Sequence, residues 1–167
     1  MSARAADVSA FSEERNMAGL RIWSPAFEHA GPIDTRHARD GDDISPPLEW
    51  SGVPDGALQL ALVCHDPDAP TSVHGFTHWV VYGIPPSATG IPEGGGGQFV
   101  EGRNDYGEIG WGGPQPPVGH GHHHYYFWLY ALDTELGDGP GLTRAQLLDR
   151  IEKHAIDLNR VVGTYER

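Results

Sequence analysis

Cysteine is nearly absent: Cys64 is the single one in 167 residues, so no intramolecular disulfide can form. It sits inside an apolar run, where a lone thiol behaves as a small core side chain. Basic residues are also scarce, eleven against twenty-three acidic ones, for a formal net charge of −12 with neutral histidines. That balance opposes broad electrostatic binding to nucleic acid or to an anionic membrane, so any phosphate recognition has to be local. Long apolar runs are missing too, and nothing approaches the ~20 residues that an integral membrane helix needs. The first thirty residues carry Arg4, Asp7, Glu13, Glu14 and Arg15 without an apolar block suited to a signal sequence. The expectation is a cytoplasmic protein with no integral membrane segment and no nucleic-acid partner.

The length fits one domain that buries roughly two-thirds of the surface its unfolded chain exposes, without a disulfide or metal staple. Residues 1–18 are small and polar with little period and read as a poorly ordered lead-in; residues 19–167 read as the domain. The strongest strand candidate is 58–64, with Leu58, Leu60, Leu62 and Cys64 on one face and Ala61 and Val63 on the other, so both faces should be buried. Further strands are expected over 77–84 and 123–132, where β-branched and aromatic residues dominate, and these three should form a central sheet. Between them, 85–121 carries the glycine run 94–97 and the proline-rich stretch 114–117 and suits neither a helix nor a long strand; such a loop either lines a site or is a surface excursion. One helix is predicted from Thr143, whose spacing to Gln146 is that of a capping box, with Leu142 and Leu147 as a hydrophobic staple. Leu147, Leu148, Ile151 and Ala155 would form its apolar face, and 157–165 would close the chain as a short strand.

Histidine is what the sequence has in excess. There are ten, with His120, His122, His123 and His124 in one group and His65, His74 and His78 in another. Strand alternation separates His123, Tyr125 and Phe127 from His122, His124 and Tyr126, so the cluster cannot converge as a set. A zinc site would need a third ligand from elsewhere. Alternation likewise puts His78 on the face of Val80 and Tyr82. The turn Asp66-Pro67-Asp68-Ala69-Pro70 should be stiff, because its two prolines fix φ and remove ladder donors. Asp66, the first residue off the strand, is better placed than Asp68 to point into a pocket; both could equally make ordinary turn hydrogen bonds.

These segments, taken together, resemble the phosphatidylethanolamine-binding protein family, in its short prokaryotic branch with the relatives named for Raf kinase inhibitor protein. The resemblance rests on 41–50 (Gly-Asp-Asp-Ile-Ser-Pro-Pro-Leu-Glu-Trp), on 66–70, on the histidine-led strand 77–81, on 119–125 against a Gly-x-His-Arg-Tyr motif, and on the ending 163–167. It implies a mainly β fold, a large central antiparallel sheet packed on a smaller one in a β-sandwich with a C-terminal helix. It also implies a ligand pocket formed by Asp66, His78, His123 and Tyr125, walled by Pro117 and Phe76, and a cis Ala69–Pro70 bond. His124 departs from the pattern, standing where the family usually has arginine.

The function expected from this resemblance is binding of a small anion: phosphate, phosphorylethanolamine or another phospholipid headgroup, or a carboxylate. Imidazole N–H groups of His78 and His123 would hold it, with Asp66 fixing their tautomer. Regulation of a protein kinase or a protease through the pocket rim is the implied partner chemistry, and a homodimer is left open. No cofactor is expected. Two alternatives stand beside this: a hydrolase using the Asp/His pocket, which lacks an evident nucleophile, and a metal-binding protein using the extra histidines.

Overall fold

The computed structural model describes residues 19–70 and 72–167; the expected lead-in at 1–18 lies outside the described residues. Nine strands and one α-helix follow each other along the described chain: β1 (Arg21–Trp23), β2 (Gly31–Pro32), β3 (Leu48–Ser51), β4 (Gln59–Asp66), β5 (Phe76–Ile84), β6 (Gly90–Ile91), β7 (Val100–Glu101), β8 (His123–Leu132), α1 (Arg144–Ile151) and β9 (Ala155–Tyr165). Six of these strands make the large sheet, in the order β2-β9-β8-β4-β5-β7, and three make the small one, β1-β3-β6. All pairings are antiparallel except the two-residue match of β2 with β9 at the edge.

The predicted two-faced burial of β4 is what holds the layers together. Leu60, Leu62 and Cys64 point into the core shared with Ile22, Leu48 and Trp50 of the small sheet. Ala61 and Val63 point the other way, into a second core closed by Leu142, Leu147 and Ile151 around α1. Each fully buried aliphatic side chain of this kind contributes on the order of 1.5–3 kcal/mol, so the central strand is the most heavily anchored part of the sequence. Cys64 is buried, and burial pushes its thiol well above the usual range. Leu58 departs from the expectation: it is 52% exposed, because it lies beyond the last paired residue of β4, Gln59 opposite Leu132, where no facing layer covers it.

Helix α1 starts where the capping box places it, with Thr143 Oγ1 accepting from the Gln146 backbone N–H and Gln146 Oε1 accepting from that of Thr143. It ends earlier than its apolar face suggested. The chain leaves the helix after Ile151, and Ala155 opens β9 rather than extending the helical stripe. That last strand is eleven residues long and pairs with β8 along nearly its whole length, so it is a full member of the sheet and not a short closing segment.

Two irregularities in β5 decide where its side chains point. Between Leu60 and Leu62 the partner shifts from Ile84 to Val81, with Gly83 at φ 68° absorbing the extra residue. Between Cys64 and His65 the partner shifts from Trp79 to Thr77, so His78 is itself an inserted residue. A bulge of this type turns the strand locally and re-aims a side chain.

Candidate functional site

Strict alternation would send His78 toward Val80 and Tyr82 under α1. The bulge overrides it. The His78 ring instead lies against Phe76, Tyr125 and Tyr106, with ring centroids 4.8, 5.2 and 5.9 Å away. Thr77 and His65 remain on the opposite face, where His65 Nδ1 meets the Thr77 hydroxyl at 3.0 Å.

Beside the His78 ring, β4 ends at Asp66, opposite Phe76 of β5, and β8 begins at His123. Asp66 Oδ2 and His123 Nδ1 are 2.7 Å apart, and both residues are about 2% exposed. The other carboxylate oxygen, Oδ1, accepts from the Asp68 backbone N–H at 2.7 Å. Asp66 thus meets the His123 ring with one oxygen and makes the ordinary turn hydrogen bond with the other, which holds the carboxylate rigidly. Burial raises the Asp66 carboxyl above its usual range, against the hydrogen bonds from His123 and Asp68. The sharp turn is made without a cis bond: among the described residues every peptide is trans, including Ala69–Pro70. The Asx turn of Asp66 onto Asp68 supplies the reversal that a cis proline was expected to supply.

His78 Nδ1 donates to the Gly112 carbonyl at 2.6 Å, which fixes its tautomer and leaves Nε2 as the nitrogen available to a ligand. Burial pushes the ring down to about 4, so it is neutral near pH 7 and its Nε2 is an acceptor. This changes one expected role, because at neutral pH His78 offers a lone pair rather than an N–H. The Tyr125 hydroxyl is held well above its ordinary range by burial and by the nearby Asp66 carboxylate, and stays protonated.

All six residues named from the sequence line one cavity of about 190 Å³: Asp66, Phe76, His78, Pro117, His123 and Tyr125. Reasoning from the sequence missed Tyr106 and Gln115, which the 85–121 loop contributes to the wall. The Tyr106 hydroxyl donates to the Gly113 carbonyl at 2.8 Å, its pKa is pushed up to about 12 by burial, and the Arg39 guanidinium covers its ring at 4.1 Å. The signal that could have found it was the loop's unusual length. Within the glycine run of this loop, a Cβ on Gly96 would stand 2.7 Å from the Trp79 ring, so that glycine is needed for close packing.

The three consecutive histidines separate as alternation demands, and each finds its own acid. His122 Nε2 stands 3.5 Å from Glu166, His123 Nδ1 2.7 Å from Asp66, and His124 Nδ1 2.8 Å from Asp68. Among the described residues no three histidine, cysteine or acidic side chains converge on a point suited to a metal ion. Nor does any described serine, threonine or cysteine line the cavity. The pair Asp66–His123 could polarise a hydroxyl or a water, but no nucleophile among the described residues is placed against it.

The signature of the phosphatidylethanolamine-binding protein family matches residues 23–166. The chain belongs to that family. A UPF0098 protein of Methanothermobacter thermautotrophicus is 45% identical over 155 residues, covering 89% of this chain and 99% of the relative. Among solved structures, the family homolog CT736 of Chlamydia trachomatis superposes with a TM-score of 0.85 at 38% identity, over 90% of this chain and 99% of that one. E. coli YbcL, described as a member of the mammalian family, gives 0.83 at 32% identity with the same coverage. Membership in the family accounts for the two-sheet architecture and its short C-terminal helix. Among the described residues no helix is long and apolar enough to cross a membrane.

Proposed function

We propose that this protein binds a small oxyanion, phosphate, phosphorylethanolamine or a carboxylate, in the cavity between Asp66, His78 and His123. The observation that carries the reading is the buried Asp66–His123 pair at 2.7 Å, set beside a second buried imidazole in one solvent-reachable cavity. A buried carboxylate alone repels an anion; with imidazolium charge interposed, the same carboxylate favours the protonated ring that an anion needs. His78 starts neutral, so its Nε2 either accepts a hydrogen carried by the ligand or gains a proton as the ligand enters. The site is thus a receptor for an acid together with its proton, and affinity declines as pH rises. Calorimetric titration of phosphate, phosphorylethanolamine and acetate at several pH values tests this, with loss of binding expected in His78→Ala and His123→Ala. Equal affinity in wild type and both variants would reject the pocket.

A second reading, contact with a protein kinase or a protease at the pocket rim, draws on Val73 and Val118, which are 97% and 78% exposed. They stand on the two loops that also supply Pro70 and Pro117 to the cavity wall. Exposed apolar side chains on both sides of a charged pocket suit a protein surface. A Val73→Ser/Val118→Ser variant should lose inhibition of a kinase or serine-protease panel while keeping phosphate affinity; unchanged inhibition would remove this reading.

A further inference from the structure

Both nitrogens of His123 are already engaged within the folded chain. Nδ1 is committed to Asp66, and Nε2 meets Nδ1 of His120 at 2.5 Å, the two rings inclined at 61° with centroids 4.8 Å apart. His120 does not itself line the cavity. It sits in the loop before β8, between Gly119 and Gly121, both at positive φ (78° and 89°) and both with open space where a Cβ would stand. The backbone at that point is tied through a turn, from the His120 N–H to the Pro117 carbonyl, and through the Gly119 N–H to the carbonyl of Arg167. The side chain that covers His123 thus hangs from a hydrogen-bonded turn, flanked by two glycines with open space beside them.

We propose that His120 is a displaceable cap on His123, an internal competitor that an incoming oxyanion must remove to reach Nε2. This rests on the oxyanion-pocket reading and assigns that site its regulation. The cap has its own proton logic. A hydrogen bond between two imidazole nitrogens needs one proton, with one ring donating and the other accepting. When both rings are protonated the pair becomes a repulsion of like charges, the cap swings out, and both N–H groups become available to an anion. The charges facing this pair come from every neighbouring element. They are Asp66 at the end of β4, Asp68 in the turn and His78 on β5. His124 is occupied by Asp68 and His122 by Glu166, so neither substitutes for His120. With capping, apparent affinity scales with the fraction of molecules held open, and removing one hydrogen bond of this kind changes that fraction about 3- to 10-fold.

The test is calorimetric titration of the full, untagged chain with inorganic phosphate at pH 7.5 and 5.5, in wild type, His120→Ala and His123→Ala. His120→Ala should bind phosphate about 3- to 10-fold more tightly than wild type at pH 7.5, and the gap should narrow at pH 5.5. In nitrogen-detected imidazole spectra of the wild type, the signature of the His120–His123 hydrogen bond should disappear as phosphate is added. Equal or weaker binding by His120→Ala, with binding still abolished in His123→Ala, overturns the cap and leaves the pocket standing. Phosphate binding absent from wild type and His120→Ala alike, or unchanged in His123→Ala, overturns the pocket and the cap with it.

Discussion

His124 and Asp68 are joined twice: one oxygen of the carboxylate, Oδ2, lies 2.9 Å from the backbone N–H and 2.8 Å from ring Nδ1 of His124. Against the Gly-x-His-Arg-Tyr motif that 119–125 resembles, His124 takes the place of an arginine, and the pairing puts a side-chain nitrogen donor on the turn that carries Asp66. Burial works to raise the Asp68 carboxyl, but the hydrogen bonds from His124 outweigh it and hold it below the usual range. A depressed folded pKa adds stability above the unfolded value of the carboxyl, and that share is lost as pH falls through the folded one. Both side chains are more than 40% exposed, so solvent screening keeps the effect under about 1 kcal/mol. His124→Ala should lower the melting temperature slightly at pH 7 and His124→Arg should restore it. A large drop in both would mean that the ring packs in a way these hydrogen bonds do not describe.

His78 makes a larger contribution with the opposite acid sensitivity to a salt-bridged histidine. Its folded pKa is lowered to about 4 by burial, so the unfolded chain binds a proton that the folded one refuses. The stability this represents is complete above the unfolded value and is lost as pH falls from about 6.5 toward 4. The full effect is on the order of 3 kcal/mol. Asp66, raised by burial, works in the opposite sense over part of that range. Urea unfolding at pH 7.5, 6.5, 5.5 and 4.5 should show wild type losing stability across this window, with a shallower loss in His78→Gln. Parallel curves for the two proteins would contradict a neutral buried ring.

Acetate binding should be coupled to proton uptake. The cavity offers His78 Nε2 as an acceptor, so a carboxylate, which carries no hydrogen of its own at pH 7.5, needs one added on one side of that interaction. Calorimetry of acetate at pH 7.5 in two buffers of different ionisation enthalpy should report uptake approaching about one proton per acetate bound. Identical enthalpies in the two buffers, with acetate bound, would show that His78 is not a partner of the ligand.

Tyr82 ties the helix-side core to its covering loop. Its hydroxyl donates to the Gly139 carbonyl at 2.6 Å and accepts from the Leu142 N–H at 3.1 Å. Tyr82→Phe removes both hydrogen bonds and strands a buried backbone donor, for an expected loss of about 1–3 kcal/mol in a two-state denaturant titration. Phosphate affinity should not change, because Tyr82 lies under α1 and lines no part of the cavity.

Much of the fold is legible in the sequence because it depends on short-range pattern. The alternation over 58–64 anticipates the two cores on either side of β4, and Thr143 with Gln146 marks the start of α1 to the residue. The helix end is less legible: Ala155 continues the apolar period, and only its pairing with Leu132 draws it into β9. The six lining residues came from motif resemblance, and strand periodicity alone would have sent His78 to the wrong face.

The chain's own order of residues thus determined the main strands, the helix cap and the scarcity of positive charge, since each follows from local spacing or simple composition. Tertiary structure alone decided that His78 is an inserted residue, that it is neutral, that Tyr106 closes the wall and that His120 covers His123. Those outcomes depend on how strands slip against one another and on which distant backbone carbonyl or ring a side chain meets, and no local pattern encodes either.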